Sequence, residues 1–208
     1  TIRVSLVENA FGLTISCPAE YQLIDPSRGE ISCSNSDTLH FDPQSVFIGR
    51  QSLDLPVNSP LRVQTKPPEQ FLEWNGKKYR GSLTVIRQSN QSFQVVNELP
   101  VEDYLRSVVP LEIGKRSPTE LEVLKTQAVA ARTYAVKRMG SHAAAGFDLY
   151  ADIRDQVYGG VSVENENCDR AIQTTAGEVL VFGDSLVDAY YHSTCGGRTE
   201  RVENIWKN

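Results

Sequence analysis

A single carboxylate, Glu112, stands a few residues ahead of a long helical pattern that carries two basic residues, Lys125 and Arg132, on its apolar side. A carboxyl can give or take a proton, and a cation held away from bulk water can grip an anion. Charges are rarely turned toward an apolar face, because desolvating them is costly unless a partner or ligand compensates. The bland alternative buries only the two stems and leaves the heads in solvent or paired with Asp or Glu. Spacing alone leaves both readings open.

The helix that must position these groups is legible from its ends. Ser117-Pro118-Thr119-Glu120 has the form of a capping box with Pro at the first helical position, and Gly140 supplies a stop. At about 100° per residue, Leu121, Leu124, Ala128, Ala131 and Ala135 share one stripe, with Val129, Val136, Val123 and Tyr134 flanking it. Glu122, Thr126, Thr133 and Lys137 make the polar strip, which predicts a helix buried over most of its circumference. A shorter helix, Val101 to Val108, is expected after Leu99-Pro100, with Glu102 and Asp103 in its first turn. Glu112 then falls in the loop between the two helices.

Around this middle the chain reads as strand. RVSLV, GLTIS, RVQT, SLTVIR and SFQVVN are short apolar or alternating runs separated by turn-rich pieces, and Asn75-Gly76 marks a hairpin. Gly177 to Phe182 and Leu186 to His192 predict a second hairpin through Gly183-Asp184, ending at the loop Ser193 to Gly197. The fold class expected is α+β, with a β-rich part over residues 1–98 and a helix-centred part over 99–208 packed against it as one unit.

A chain of 208 residues can bury a sizeable core, and its formal charge of −5 argues against a nucleic-acid partner. It contains no apolar run of membrane-spanning length.

Four stretches, EDYLRSVVPLEIG, SPTELEVLKTQAVAARTYAV, QVYGG and YHSTCGGRTE, resemble the SpoIID/LytB family (stage II sporulation protein D and the amidase enhancers) in identity and order. The resemblance is strong from Tyr79 onward and weaker before Pro68, and it implies that the family's sequence continues past Trp206. It implies an extracytoplasmic protein acting on peptidoglycan glycan strands. Sporulation members are lytic transglycosylases, whereas the amidase enhancers modify a cell-wall amidase.

On this resemblance Glu112 is the catalytic acid, although the family's Glu-Met-Pro is here Glu112-Ile113-Gly114 and the span to the helix is about two residues longer. Protonating a glycosidic oxygen is easier from partly apolar surroundings, which Val108, Val109, Pro110, Leu111 and Ile113 would supply. Lys125 and Arg132 match the family helix motif and are expected to line the cleft near Glu112, at least one of them recognising the lactyl carboxylate of muramic acid. That group is free only on peptide-free strands. Gln156, Tyr158, Tyr191, Ser193 and Cys195 are the remaining expected substrate contacts, each with a scaffold role as its alternative, while Gln127 is placed on another side of the helix as a structural hydrogen-bonder. No cofactor is expected. The family's zinc interval retains His142 but has Tyr150, Arg154 and Asp155 where sulfur and imidazole ligands are expected, which disfavours a metal. In an exported protein Cys17 and Cys33 are expected to form a disulfide, with Cys168 and Cys195 a less secure pair.

Overall fold

The computed structural model describes residues 1–67, 69–114, 116–192 and 196–205. In chain order the strands of the first part are β1 (Ile2–Ala10), β2 (Leu13–Ser16), β3 (Tyr21–Asp25), β4 (Gly29–Cys33), β5 (Thr38–Phe41), β6 (Ser45–Ile48), β7 (Gln51–Asp54), β8 (Pro60–Thr65), β9 (Leu72–Trp74), β10 (Lys77–Tyr79), β11 (Ser82–Arg87) and β12 (Phe93–Leu99). Then come α1 (Val101–Ile113), α2 (Leu121–Arg138), β13 (Leu149–Tyr150), α3 (Glu166–Thr174), β14 (Val181–Phe182), β15 (Ser185–Leu186) and α4 (Val202–Ile205). The fold class is α+β.

Among the described residues the strands make a seven-stranded sheet, ordered β13-β1-β12-β11-β8-β3-β4, a six-stranded sheet, ordered β10-β9-β2-β5-β6-β7, and the two-stranded pair β14-β15. Strand β12 lies between β1 and β11 with Phe93, Gln94, Val95, Val96, Asn97 and Leu99 all buried, so both its faces are covered and its sequence runs apolar instead of alternating. Between β9 and β10, Asn75 and Gly76 take φ of 50° and 69°, the primed turn that an Asn-Gly pair favours.

The two parts of the chain are interleaved. Strand β13 pairs in parallel with β1, placing Leu149 and Tyr150 opposite Val4 and Ser5. Arg3 bonds Asp148 at 2.7 Å, Arg80 bonds Glu164 at 2.7 Å, and apolar side chains from both parts form one continuous buried cluster.

In α2 the expected stripe, Leu124, Ala128, Ala131 and Ala135, is fully buried. The capping box forms, with Glu120 Oε2 accepting from the Ser117 N–H at 3.1 Å, although Pro118 to Glu120 is a 3₁₀ turn and the α-helix begins at Leu121. One member of the expected polar strip is corrected: Thr133 is buried, its hydroxyl accepting from the Leu180 N–H at 2.9 Å. The Glu178 carbonyl and the Leu180 N–H bond to side chains of α2, and only two residues pair on each side of the Gly183-Asp184 turn instead of long strands. Helix α3, unassigned from sequence, is capped by Asn165 Oδ1, which accepts from the Asn167 N–H at 3.1 Å, and it buries Cys168, Ala171 and Ile172.

The cysteine expectation also changes. Cys17 and Cys33 are free thiols buried on the inner side of the β-rich part, and Cys33 Sγ turns to the Ile31 carbonyl of its own strand at 3.8 Å. Burial pushes both thiols upward in pKa, so they behave as small apolar side chains. Cys168 is likewise free and buried, and Cys195 lies outside the described residues.

Candidate functional site

Helix α1 does not end at Val108. It carries Pro110 within it and runs to Ile113, where Gly114 at φ 77° ends it, so Glu112 sits on the last helical turn and not in a loop. Proline deletes one backbone donor. Val108, Val109 and Pro110 are buried against the neighbouring elements, and that packing holds the last turn together. Tyr104, Val108 and Glu112 follow at four-residue spacing along one side of α1, and this side meets the QVYGG loop.

Glu112 is half-buried, and its Oε1 accepts from the Val157 N–H at 2.9 Å. Among the described residues its second oxygen has no hydrogen-bond partner. The carboxylate is thus fixed at one oxygen by a backbone donor and open at the other.

The loop that supplies this donor is a lock between elements. Tyr158 is buried and its hydroxyl donates to Asn97 Oδ1 at 2.7 Å, while the Asn97 amide donates to the Arg80 and Ser82 carbonyls at 2.8 and 2.9 Å. Gly159 N–H donates to Ser107 Oγ at 2.8 Å. Gly160 has φ 75° and ψ −161°, a region open essentially to glycine alone, and a Cβ there would lie 2.5 Å from the Lys78 carbonyl oxygen. Gly160→Ala is therefore expected to cost at least about 3 kcal/mol, the sum of backbone strain and a displaced strand β10. Chemical denaturation of the variant measures it, and a loss below about 1 kcal/mol would show that the loop is not held this tightly.

Gln156 is 1 % exposed and joins three elements. Its Oε1 accepts from the Tyr104 hydroxyl at 3.1 Å, and its Nε2 donates to the Ala131 carbonyl at 3.3 Å and to Tyr191 Oη at 2.8 Å. Burial drives Tyr104 and Tyr191 well above the ordinary phenol range. The negative charge of Glu112 adds to the rise in both. Both hydroxyls therefore stay protonated and can donate at any physiological pH.

Lys125 and Arg132 share a face of α2, as their spacing predicts, but it is the face toward α3. Arg132 is 2 % exposed and forms a fork on Glu102, with Nε to Oε1 at 2.9 Å and Nη2 to Oε2 at 2.7 Å. Its remaining donors reach the carbonyls of Glu178 at 3.1 Å and Ile172 at 3.3 Å. Glu102 lies in the first turn of α1, ten residues and about 15 Å of helix from Glu112. The expected cleft role of Arg132 is thereby corrected: its guanidinium is consumed in tying α1, α2 and the end of α3 together. Lys125 pairs with Glu122 at 2.7 Å and lines a groove of about 460 Å³ with Thr126, Thr174 and Leu180.

The face of α2 turned to the QVYGG loop carries Ala131, which Gln156 reaches, and Tyr134, whose hydroxyl donates to Asp155 at 2.8 Å. Gln127 occupies the same face one turn earlier, about 200° round the helix from Lys125, and its Nε2 is buried with no hydrogen-bond partner among the described residues. Tyr158 and Gln156, expected as sugar contacts, are instead buried and committed to the loop's own bonds. Tyr191 stays half-exposed, while Ser193 and Cys195 lie outside the described residues. In the interval His142 to Asp155, His142 stacks on Phe147 at 5.1 Å, Arg154 lies 3.5 Å above the Tyr150 ring, and Asp155 also accepts from the Tyr150 N–H at 2.8 Å. Among the described residues no three His, Cys, Asp or Glu side chains come together where a metal ion could be held.

Comparison with known proteins bears on residues 89–182, which match the family model described as SpoIID, Stage II sporulation protein. An uncharacterized protein of Brachyspira hyodysenteriae is 38% identical over 133 residues, covering 64% of this chain and 35% of the relative. The Amidase enhancer of Bacillus subtilis is 39% identical over 104 residues, 50% of this chain and 14% of the relative. The Stage II sporulation protein D of the same organism is 30% identical over 159 residues, 69% of this chain and 45% of the relative. The chain thus spans less than half the length of these curated relatives. No solved structure matches it.

Proposed function

From a chain that belongs to the SpoIID family through residues 89–182, we propose a peptidoglycan lytic transglycosylase that cuts between N-acetylmuramic acid and N-acetylglucosamine. Glu112 carries the reading, because among the described residues its carboxyl meets the QVYGG loop with one oxygen fixed by the Val157 N–H and the other without a hydrogen-bond partner. Its open oxygen delivers a proton to the glycosidic oxygen as the bond to C1 breaks, and the leaving sugar departs as an alcohol. The same carboxylate then takes the proton of the muramic acid C6 hydroxyl as that oxygen closes on C1, which yields a 1,6-anhydro end and restores the acid. No water is consumed and no second protein carboxylate is required, unlike the paired acids of hydrolytic glycosidases.

The action is extracytoplasmic in this reading. Among the described residues no helix is long and apolar enough to cross a membrane. Preference for peptide-free strands loses its support, since Arg132 is committed to Glu102 and Lys125 is paired with Glu122.

Purified glycan strands incubated with the protein should gain 1,6-anhydro ends, detected by mass spectrometry. A second reading, a noncatalytic glycan-binding module that regulates a cell-wall amidase, is favoured by the relative named Amidase enhancer. It predicts no anhydro ends but faster peptide release by an added amidase, and that outcome would displace the enzyme.

A further inference from the structure

The orientation of the Gln156 amide is dictated by its neighbours. Its terminal group lies 3.3 Å from the Ala131 carbonyl, which can only accept, so Nε2 and not Oε1 faces α2. Oε1 then faces Tyr104 and takes that hydroxyl's hydrogen at 3.1 Å. The second Nε2 hydrogen is left for Tyr191 Oη at 2.8 Å. Tyr191 is consequently an acceptor toward Gln156, and its own hydroxyl hydrogen must point elsewhere. No described residue receives it.

The chain of bonds runs outward from the core. Tyr104 is 0% and Gln156 1% exposed, whereas Tyr191 is half-exposed. Gln156 is adjacent in sequence to Val157, whose N–H holds Glu112, so the two ends of the system, the tyrosine hydroxyl and the open carboxylate oxygen, are set by consecutive residues of one loop.

We infer that Gln156, backed by Tyr104, is a positioning residue that turns the Tyr191 hydroxyl outward as a donor to an acceptor oxygen of a saccharide bound beside Glu112. The inference rests on the glycan reading of the site and adds the direction of a specific hydrogen. A glycosidic, ring or N-acetyl oxygen can accept it, and an apolar group at that point cannot.

The test is a double-mutant cycle in the whole chain. Tyr191→Phe deletes only the hydroxyl, and Gln156→Leu deletes the group that orients it. Each should lower kcat/KM for anhydro-end release roughly tenfold, the scale of one hydrogen bond in a dry site, and the double variant should be no worse than the poorer single. A purely structural role for Gln156 predicts that its loss persists undiminished in the Tyr191→Phe background, and such multiplication of the two effects would overturn the assignment. Should Gln156→Leu fail to fold, Tyr104→Phe takes its place, with a loss of about threefold that vanishes when Tyr191 is already Phe. If wild type makes no anhydro ends, the transglycosylase reading has failed, and the cycle is read as affinity for peptide-free glycan oligomers by calorimetry. Coupled losses there uphold the inference, and independent or absent losses overturn it.

Discussion

Glu112→Gln is expected to lower release of 1,6-anhydro ends by roughly a hundredfold to ten-thousandfold, the range that one positioned acid supplies. The amide keeps a carbonyl oxygen that can still accept from the Val157 N–H, now 2.9 Å from the carboxylate, so the loop should stay in place. Melting temperature and glycan affinity should therefore change little while turnover collapses. Among the described residues the carboxylates of Asp155, Glu120 and Glu122 are engaged elsewhere, Asp155 accepting from the Tyr134 hydroxyl and the Tyr150 N–H. Glu120 is bound by the Ser117 N–H and hydroxyl at 3.1 and 3.0 Å, and Glu122 is paired with Lys125 on the far side of α2. Mass spectrometry of digested strands decides the matter, and turnover by the variant within about tenfold of wild type would show that Glu112 is not the acid.

How much of the site was legible in sequence depends on the kind of residue. Glu112 is legible as a candidate because its motif is local. Gln156 and Tyr158 are legible as motif residues with sugar contact and scaffold both open, since sequence shows residue type and not whether a side chain faces solvent or core. Their amide and phenol are what a sugar site uses and equally what a buried lock uses, and only the Asn97 and Ala131 partners tell the two apart. The shared face of Lys125 and Arg132 followed from a seven-residue spacing, but which element covers that face is a tertiary fact: α3 lies there, and nothing in α2 announces it. Gln127 could have been flagged by helical arithmetic alone, being in step with Ala131 and Tyr134.

The fold shows the same division. The Asn75-Gly76 hairpin and the Ser117 to Glu120 cap were readable because each is enforced by a few adjacent residues. The length of α1 was not, because Pro110 argues locally for a break and the buried packing of Val108, Val109 and Pro110 overrides it. Thr133 and the segment 178–180 were misread for a related reason: a threonine on a polar strip is scored as exposed until another backbone is laid across it. Helix α3 is short, and its cap at Asn165 followed by Cys168, Ala171 and Ile172 is a weak signal beside the stronger motif just upstream.

Arg132→Met is expected to destabilise the protein by about 3–5 kcal/mol while leaving the turnover of folded molecules within about twofold of wild type, because breaking one side of a buried ion pair strands its partners. Four bonds are lost together: the two to Glu102 and those to the Glu178 and Ile172 carbonyls. Glu102 is 40% exposed and can recover some hydration, which favours the lower end of that range. For a chain of this size about 2–4 °C of melting temperature accompanies each kcal/mol, so a fall of roughly 6–12 °C is expected. Arg132→Lys retains the charge but cannot form the fork and reach both carbonyls, and should lie between the two, near 1–2 kcal/mol. The decisive comparison sets melting against turnover measured well below the transition. A substrate contact would show the opposite pattern, an unchanged melting temperature with turnover reduced tenfold or more in both variants, and that result would put the Arg132 head back in the cleft and leave the Glu102 fork without a structural role.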